Sequence, residues 1–531
     1  MNLSEPLLRT FRKLARKLWV EKQAAKAYLI FTSAIRTGLK RDLESIDFDK
    51  INLERTDEVA FFPEFYSRDY RTTLHGVIAH GLNYRGVGSI FVFDNNSLDV
   101  SRGYSSRYDD EQVRRAKQNR EFTEVMNLPS VFLDEIDYDS SIENKQIKPI
   151  IKNYAEATAL RELRVAKIDY DNPEHDNLVK RYKHTGRVAW EVTDKLHEKY
   201  DFDYIVSTGS AYLPRRISIE FAKRNDISIT ASSDPVYGDG NDLMFSRMDG
   251  PQTHYISNFA WEKIKNRSLT PEQEQELNQF MNDRIDTVEQ TQYADPDRTP
   301  DVSEDDETYS MYTHLPWDAA IQGVSRIFDN QYEWVSETVR YFESLDEKEL
   351  IIKIHPAEKM RGTEEGITDV LKPLFNDLPE NVRTLKPDTD IYPYELMKAS
   401  DVVLVYTSTV GMEATYLDTP VITSADGHYA EKGFTYDPTT EEEYNDLLIQ
   451  SSDKLELDEN RVNLVRKYLF NYFIQRPINF DLVQPTPYSS NQSIVQDLNT
   501  AADLKPGQNN SLDHICKAII ENTTYFYTKS H

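Results

Sequence analysis

The sequence predicts an α/β protein built from two units, each with a mainly parallel sheet. Short apolar stretches recur along the chain, with helix-like stretches between them, and residues 350–354 and 401–405 are the clearest examples. Strands separated by helices indicate parallel sheets of the βαβ kind. A chain of 531 residues is too long for one hydrophobic core, so two units with extensions are expected.

Charge and cysteine content exclude several classes of protein. The net charge of −28 gives a mean field that repels phosphate, so a general nucleic-acid binder is not expected. The single cysteine, Cys516, excludes an internal disulfide framework and a Cys-ligated zinc site. Low cysteine usage also suits a reducing compartment, which predicts a cytoplasmic protein.

The first 45 residues form a basic segment on this acidic chain. Residues 1–41 hold ten basic side chains against two acidic ones. Apolar residues recur there at helical spacing, at Leu7, Phe11, Leu14 and Leu18. The pattern predicts an amphipathic helix that lies on an anionic membrane, on the inner face of the cell membrane. Packing of the same helix on the acidic body of the protein is the alternative.

Changes in composition divide the rest of the chain. The first α/β unit is expected over residues 46–290 and the second over 311–475, with an acidic linker at 291–310. Residues 476–531 form a C-terminal extension that ends in a further helix. Strands alternate with helices in both units, which is typical of doubly wound sheets.

A histidine follows the strand predicted at residues 350–354. His355 leaves that strand, and Pro356 restricts the backbone of the residue before it, so the imidazole is held where the next element begins. An imidazole in that place can donate a hydrogen bond to a phosphate. A structural histidine at a strand–loop corner is the alternative.

Hydroxyl groups follow the strand predicted at residues 401–405. Ser408 and Thr409 supply hydroxyl donors, and Gly411 allows close approach of a backbone. The helix that begins here would offer free N–H groups to an anion. Glu413, about one turn into the helix, can accept from a ribose hydroxyl. An ordinary Ser/Thr helix cap is the alternative.

The strand predicted at residues 420–423 leads to a third polar loop. Tyr429 and Lys432 add an aromatic ring and a cation there. Because ligands of open parallel sheets bind beyond the carboxyl ends of strands, the three loops are expected to converge. Together they suit a nucleotide phosphate with an attached sugar.

These motifs resemble the capsule polysaccharide biosynthesis glycosyltransferases. Those enzymes have the GT-B fold and are related to bacterial Kdo transferases and, more distantly, to polysialyltransferases and CDP-glycerol glycerophosphotransferases. The resemblance covers about residues 308–440 and departs from the family at 208–216, where an Asn-Gly-Arg turn is usual. Its residues are Leu315 to Ala319, His355-Pro356, Asp401 to Val405, Ser408 to Ala414, Pro420-Val421, His428-Tyr429 and Gly433 to Thr435.

The resemblance implies two Rossmann-like domains that face a central cleft, with a nucleotide-sugar donor in the C-terminal domain. His355, Ser408 and Thr409 would hold the donor phosphate, and Glu413 would hold the ribose. Neither a metal nor another cofactor is then required. The acceptor would be a surface polysaccharide or a lipid-linked glycan.

Removal of the acceptor proton requires a carboxylate or histidine from the first unit. Asp234 and Asp239 follow the strand that ends near Thr230 and are the candidates, with His314 a weaker one. A flexible acidic loop is the alternative interpretation of the two aspartates.

Glycosyl transfer is therefore the function that the sequence predicts. Two enzymatic alternatives share the fold: a nucleotide-sugar epimerase and a polyol-phosphate transferase. A non-catalytic nucleotide-binding scaffold at the membrane is an alternative from a different class.

Overall fold

The structure is a computed structural model of the chain. It describes residues 43–51, 53, 56–65, 69–95, 97–98, 119–139, 145–209, 211–233, 242–247, 256–286, 295, 298, 300–318, 323–375, 377–486, 489–495 and 498–523. The predicted amphipathic helix at residues 1–41 lies outside these residues, and so do Asp234 and Asp239.

The first unit is a sheet with helices on both faces. Its strands are β1 (Glu58–Pro63), β2 (Val87–Phe93), β3 (Ser130–Phe132), β4 (Tyr204–Thr208), β5 (Ser228–Ser233) and β6 (Asp242–Arg247). Its helices are α1 (Asp69–Asn83), α2 (Lys148–Leu163), α3 (Pro173–Tyr200) and α4 (Arg215–Arg224). The order is β6-β5-β4-β1-β2-β3, and all neighbours are parallel except β5 and β6.

Apolar side chains of the strands alternate between two cores. Phe62 and Phe91 stack on the face that α1 covers, with ring centroids 4.4 Å apart. Phe61 and Ile205 point to the opposite face, against α2, α3 and α4. Burial of both faces explains why the central strands are almost continuously apolar in sequence.

The second unit is a wholly parallel sheet in the order β11-β10-β7-β8-β9. Its strands are β7 (Glu307–Tyr312), β8 (Lys348–Lys353), β9 (Val382–Leu385), β10 (Val402–Val405) and β11 (Val421–Thr423). Its helices are α5 (Asn258–Lys265), α6 (Pro271–Asp286), α7 (Gln331–Phe342), α8 (Ala357–Met360), α9 (Ile367–Leu371), α10 (Pro393–Lys398), α11 (Val410–Tyr416), α12 (Glu441–Ile449) and α13 (Glu459–Leu469).

Two helices that precede the expected linker pack on the second sheet. Trp261 of α5 and Met281 of α6 belong to the same core as Val403 and Val405 of β10. Strand β7 begins at Glu307, four residues before the expected start of the second unit. Residues 258–286 thus pack with the second unit, although composition alone groups them with the first.

After α13 and a π-helical turn (Phe470–Gln475), the chain returns to the first unit. Strand β12 (Ile478–Asn479) pairs antiparallel with β6. Strands β13 (Val483–Thr486) and β14 (Ser489–Val495) pair with each other, and α14 (Asn510–Ile520) packs on α1. Gly81 of α1 permits this packing, because a Cβ there would lie 2.9 Å from the sulfur of Cys516. Among the helices that the structure describes, none has the length and apolarity needed to cross a bilayer.

Candidate functional site

Three adjacent strands of the second sheet bring the predicted site residues to one edge. Strand β7 lies between β10 and β8, and Val405, Tyr312 and Lys353 are in register across the three. Side chains in one register row share a face of the sheet. Since neighbouring strands are about 4.8 Å apart, the ends of β10 and β8 are separated by about 10 Å. The loops with His355 and Ser408 therefore leave the same edge, within the length of a nucleotide.

The hydrogen bonds of His355 fix its tautomer. Its Nδ1 accepts from the backbone N–H of Ala357 at 3.1 Å, so Nδ1 carries no proton. Burial lowers the pKa of His355 to about 4, with a further contribution from His314. The ring is therefore neutral near pH 7 and carries its proton on Nε2. An Nε2–H group at a strand end is a donor for an anionic oxygen.

His314 lies between the two predicted loops, at the end of β7. Its Nε2 is 3.0 Å from the Thr407 hydroxyl, and Gln331 holds its backbone N–H and C=O. Burial also lowers the pKa of His314, while Asp318 acts in the opposite direction. His314 thus belongs to the edge of the second sheet, beside His355.

Lys353, which the sequence analysis did not single out, adds a buried cation to this edge. Only 5 % of the side chain is exposed, and burial lowers its pKa to about 8. Its charge is close enough to His355 to lower the pKa of that ring. Within the described part of the chain, no carboxylate or hydrogen-bond acceptor is recorded against the Lys353 ammonium. A buried ammonium without an anionic partner favours an anionic ligand.

The start of α11 is satisfied by its own loop. The N–H of Val410 donates to the Ser408 hydroxyl oxygen, Gly411 donates to the Ser408 carbonyl, and Met412 donates to the Thr409 carbonyl. The free N–H groups expected at this helix start are therefore already used within the chain. The N-cap residue is Thr409, which makes no side-chain cap hydrogen bond, and the O–H of Ser408 can still donate outward.

Glu413 is held by protein groups. Arg284 Nη2 donates to Oε1 at 2.5 Å, and the Tyr394 hydroxyl donates to Oε2 at 2.7 Å. All three side chains are buried. The Glu413 carboxylate therefore links α11 to α6 and α10. To bind this carboxylate, a ribose hydroxyl would have to replace Arg284 or Tyr394 as its donor.

Gly411 and Tyr429 contact each other. A Cβ on Gly411 would lie 2.2 Å from the Tyr429 hydroxyl, and that hydroxyl donates to the Ser408 carbonyl. Because Tyr429 is fully buried, its ring is not a surface on which a base can stack. Tyr429 supports the loop that carries Ser408 and Thr409, and Gly411 makes room for it.

Lys432 is also directed into the protein. Its Nζ donates to Asn258 Oδ1 at 2.5 Å, and its carbonyl accepts from the Trp261 indole at 3.0 Å. Burial lowers the pKa of Lys432 to about 8. This residue therefore joins the third loop to α5.

Helix α2 of the first unit contacts the loops of this edge. Leu160 packs against Leu315, Trp317 and Ala357, next to the two histidines. The Arg164 carbonyl accepts from the N–H of Glu364 at 3.0 Å. The first unit thus borders the site from across the cleft.

A separate cavity of about 1330 Å³ lies elsewhere, between the loop joining α5 to α6, the π-helical turn and α14. Arg267, Lys467 and His514 contribute to its walls. None of the residues that the sequence singles out for the donor lines it. The cavity is thus separate from the edge of the second sheet where His355, Ser408 and Lys353 lie.

Two Rossmann-like units joined by a returning C-terminal segment define an α/β protein of the GT-B type, as the resemblance implied. Residues 255–473 match the family described as capsule polysaccharide biosynthesis protein. The match begins just before α5 and ends in the π-helical turn, which are the limits of the second unit in the structure. The resemblance that the sequence indicates over about residues 308–440 lies within this match.

None of the curated proteins compared with the chain matches it. Similar solved structures include KpsC, beta Kdo 2,4 transferase, from Thermosulfurimonas dismutans, at 14 % identity, covering 57 % of this chain and 87 % of that one, TM-score 0.36. The beta Kdo 2,7 transferase of the same organism is similar at 16 % identity over 57 % and 85 % of the chains, TM-score 0.34. The UDP-GlcNAc 2-epimerase of Neisseria meningitidis is similar at 12 % identity over 78 % and 98 %, TM-score 0.24.

Proposed function

We propose that this protein transfers a sugar from a nucleotide-sugar donor to a glycan, with the donor phosphate bound at the carboxyl edge of the second sheet. The observation that carries the proposal is the proximity of two buried groups, the Lys353 ammonium and the His355 imidazole. Among the described residues, nothing accepts a hydrogen bond from the buried Lys353 ammonium, and its charge acts on the His355 imidazole, whose proton is on Nε2. Both groups suit the charge of a phosphate ester.

Stabilisation of the departing phosphate is the chemistry that this edge can supply. When the glycosidic bond to the nucleotide breaks, negative charge develops on the phosphate oxygen. The Lys353 ammonium, the His355 Nε2–H and the hydroxyls of Ser408 and Thr409 are donors for that charge. Preorganised donors in a site shielded from water lower the barrier without further reorganisation.

The acceptor is proposed to enter from the first unit, which borders the site through α2. Its hydroxyl must lose a proton as it attacks the anomeric carbon. Asp234 and Asp239 remain candidates for the base by their position, since β5 ends at Ser233. The acceptor class proposed is a surface polysaccharide or lipid-linked glycan.

Nucleotide binding is the first test. Thermal unfolding of the full chain is measured with CMP, CDP, UDP and GDP, because a ligand of the native state raises the melting temperature. One nucleotide is expected to stabilise the wild type and to lose that effect in Lys353→Met. Absence of stabilisation by all four nucleotides would contradict the proposal.

Product analysis then separates the transferase from its alternatives. The matching nucleotide sugar is incubated with and without a capsular oligosaccharide, and the sugar products are separated. Transfer requires the oligosaccharide, whereas an epimerase converts the donor alone. Consumption of CDP-glycerol in place of sugar donors would indicate polyol-phosphate transfer, and binding without turnover would indicate a scaffold.

The basic residues at 1–41 are proposed to hold the enzyme at an anionic membrane. Their charge opposes that of the remaining chain, and each basic residue near such a surface contributes about 1 kcal/mol. We expect the full chain to float with phosphatidylglycerol vesicles. We expect it not to float with phosphatidylcholine vesicles. Equal recovery after removal of residues 1–41 would refute this role.

A further inference from the structure

A second cluster of polar side chains lies at the carboxyl edge of the first sheet. Glu64 follows β1 directly, Thr208 ends β4, and His75 of α1 lies between them. The His75 Nδ1 is hydrogen-bonded to Glu64 Oε1, and its Nε2 is 3.2 Å from Thr208 Oγ1. Glu64 and His75 are fully buried, whereas Thr208 is partly exposed. A continuous polar path therefore runs from a buried carboxylate to the surface.

The charge of Glu64 determines where the protons lie. Burial raises the pKa of Glu64, but attraction by His75 and Arg215 outweighs it and brings the pKa to about 2. Arg215 Nη2 is 3.2 Å from the second carboxylate oxygen, which the Thr72 hydroxyl also approaches at 3.4 Å. Since an ionised carboxylate only accepts, Nδ1 of His75 must carry a proton. In the tautomer with its proton on Nδ1, Nε2 of His75 is an acceptor for the Thr208 hydroxyl.

We propose that Thr208, His75 and Glu64 form a proton relay that removes the proton of the acceptor hydroxyl, the step for which Asp234 and Asp239 are the alternative bases. This inference rests on the proposed glycosyl transfer. The acceptor oxygen bonds to the anomeric carbon as the bond from that carbon to the phosphate breaks, and the electron pair leaves with the phosphate. The acceptor proton passes to the Thr208 oxygen, and the Thr208 proton passes to His75 Nε2. The imidazolium that results is paired with Glu64.

Helix α2 contacts the loop after β4 of the first sheet and the loops of the donor edge. The loop after β4 is held by α2, since the N–H of Leu213 donates to the Thr158 hydroxyl at 3.2 Å. Two residues further along α2, Leu160 packs against Trp317 and Ala357 beside the donor histidines. Two residues of a helix rise by only about 3 Å. The loops that follow Thr208 and His355 therefore both contact the C-terminal half of α2.

The groups that face His75 come from four elements. Glu64 and Phe62 approach from β1, with the rings of Phe62 and His75 5.6 Å apart, and Thr208 approaches from β4. Ser232 Oγ of β5 lies 3.4 Å from Nε2, and Arg215 of α4 acts through Glu64. Among the described residues, Glu64 is the anion in direct contact with the His75 ring. It therefore stabilises the imidazolium that forms when His75 takes up the proton.

The test compares Thr208→Val, which has nearly the same shape, with Thr208→Ser, which retains a hydroxyl. Release of nucleotide from CMP-, UDP- and GDP-sugars into water is the readout, because water presents an O–H to the same relay. We expect kcat to fall about 100-fold in Thr208→Val with KM unchanged, and to recover in Thr208→Ser. Thr193→Val, which removes a buried hydroxyl of α3, is the matched control and keeps the wild-type rate.

A second variant separates a relay from a structural role. His75→Gln removes the ring that takes up the proton, so we expect its rate to fall as far as that of Thr208→Val, and the double variant to be no slower than either. An unchanged rate in Thr208→Val, while the wild type releases nucleotide, would disprove the relay and leave glycosyl transfer intact. If the wild type neither binds nor releases any nucleotide, glycosyl transfer and the relay are both disproved.

Discussion

Arg284 and Glu413 form a buried ion pair, with Nη2 and Oε1 2.5 Å apart, although 129 residues separate them in the chain. The pair joins α6, which precedes the acidic segment, to α11, which carries the Ser-Thr loop. It explains how helices before β7 become part of the second unit. It also gives Glu413 a role in stability that the local sequence does not indicate.

The first prediction concerns this pair. Glu413→Leu leaves the Arg284 charge buried without its partner, and we expect the free energy of unfolding to fall by about 3–5 kcal/mol. The double variant Arg284→Met/Glu413→Leu removes both charges and is expected to recover most of the loss. Urea unfolding followed by tryptophan fluorescence measures both. A loss of nucleotide affinity without loss of stability in Glu413→Leu would instead support the ribose contact.

The second prediction concerns the proton on His355 Nε2. His355→Asn retains an acceptor for the N–H of Ala357 but loses the outward donor, so turnover is expected to fall at least 100-fold while the fold is preserved. His175→Asn is the matched control, because the Nδ1 of His175 likewise accepts a backbone N–H, from Asp169 at 3.2 Å. Nucleotide release measures both variants. Equal rates in the two variants would exclude a role for His355.

The third prediction concerns the pH dependence of donor binding. The pKa of Lys353 is lowered to about 8 in the free protein, and a bound phosphate favours the charged form and raises it. Nucleotide affinity should therefore fall as pH rises above about 8, by up to tenfold for each pH unit. Lys353→Arg should retain affinity at pH 9, and Lys353→Met should bind weakly at every pH. Calorimetric titration at pH 7, 8 and 9 provides the comparison, and a flat wild-type profile would argue against contact with Lys353.

The fourth prediction concerns the support of the Ser-Thr loop. Gly411→Ala would bring a methyl group against the Tyr429 hydroxyl, so the loop must shift and both melting temperature and nucleotide affinity should fall. Tyr429→Phe removes that oxygen, and Gly411→Ala/Tyr429→Phe is expected to recover part of the loss. If the double variant has the same melting temperature and nucleotide affinity as Gly411→Ala alone, the contact with the Tyr429 hydroxyl does not determine the position of the loop.

The sequence predicts the parts of this structure that depend on local patterns. Apolar runs such as 350–354 and 401–405 identify strands, and the polar residues that follow them identify an edge because parallel strands end together. Lys353 is the charged residue inside the first of these runs, and that charge was the available signal for a ligand site. The C-terminal extension contains β13 and β14, which were not predicted because their polar residues and Pro485 conceal the strand pattern.

The parts that sequence analysis missed depend on distant partners. In the sequence, Glu413 looks available to a ligand, because its partners Arg284 and Tyr394 are distant in the chain. Tyr429 resembles a stacking surface until its burial beside Gly411 is known. His75 and Glu64 are 11 residues apart in a stretch without a recognisable motif, and their pairing requires the return of α1 onto the sheet.

The central claim is that His355 and Lys353 bind the donor phosphate, and a crystal structure with the stabilising nucleotide tests it most directly. We expect phosphate oxygens within about 3 Å of His355 Nε2 and Lys353 Nζ. A phosphate bound elsewhere, such as in the cavity beside Arg267 and Lys467, with these two groups left without contact, would contradict the claim.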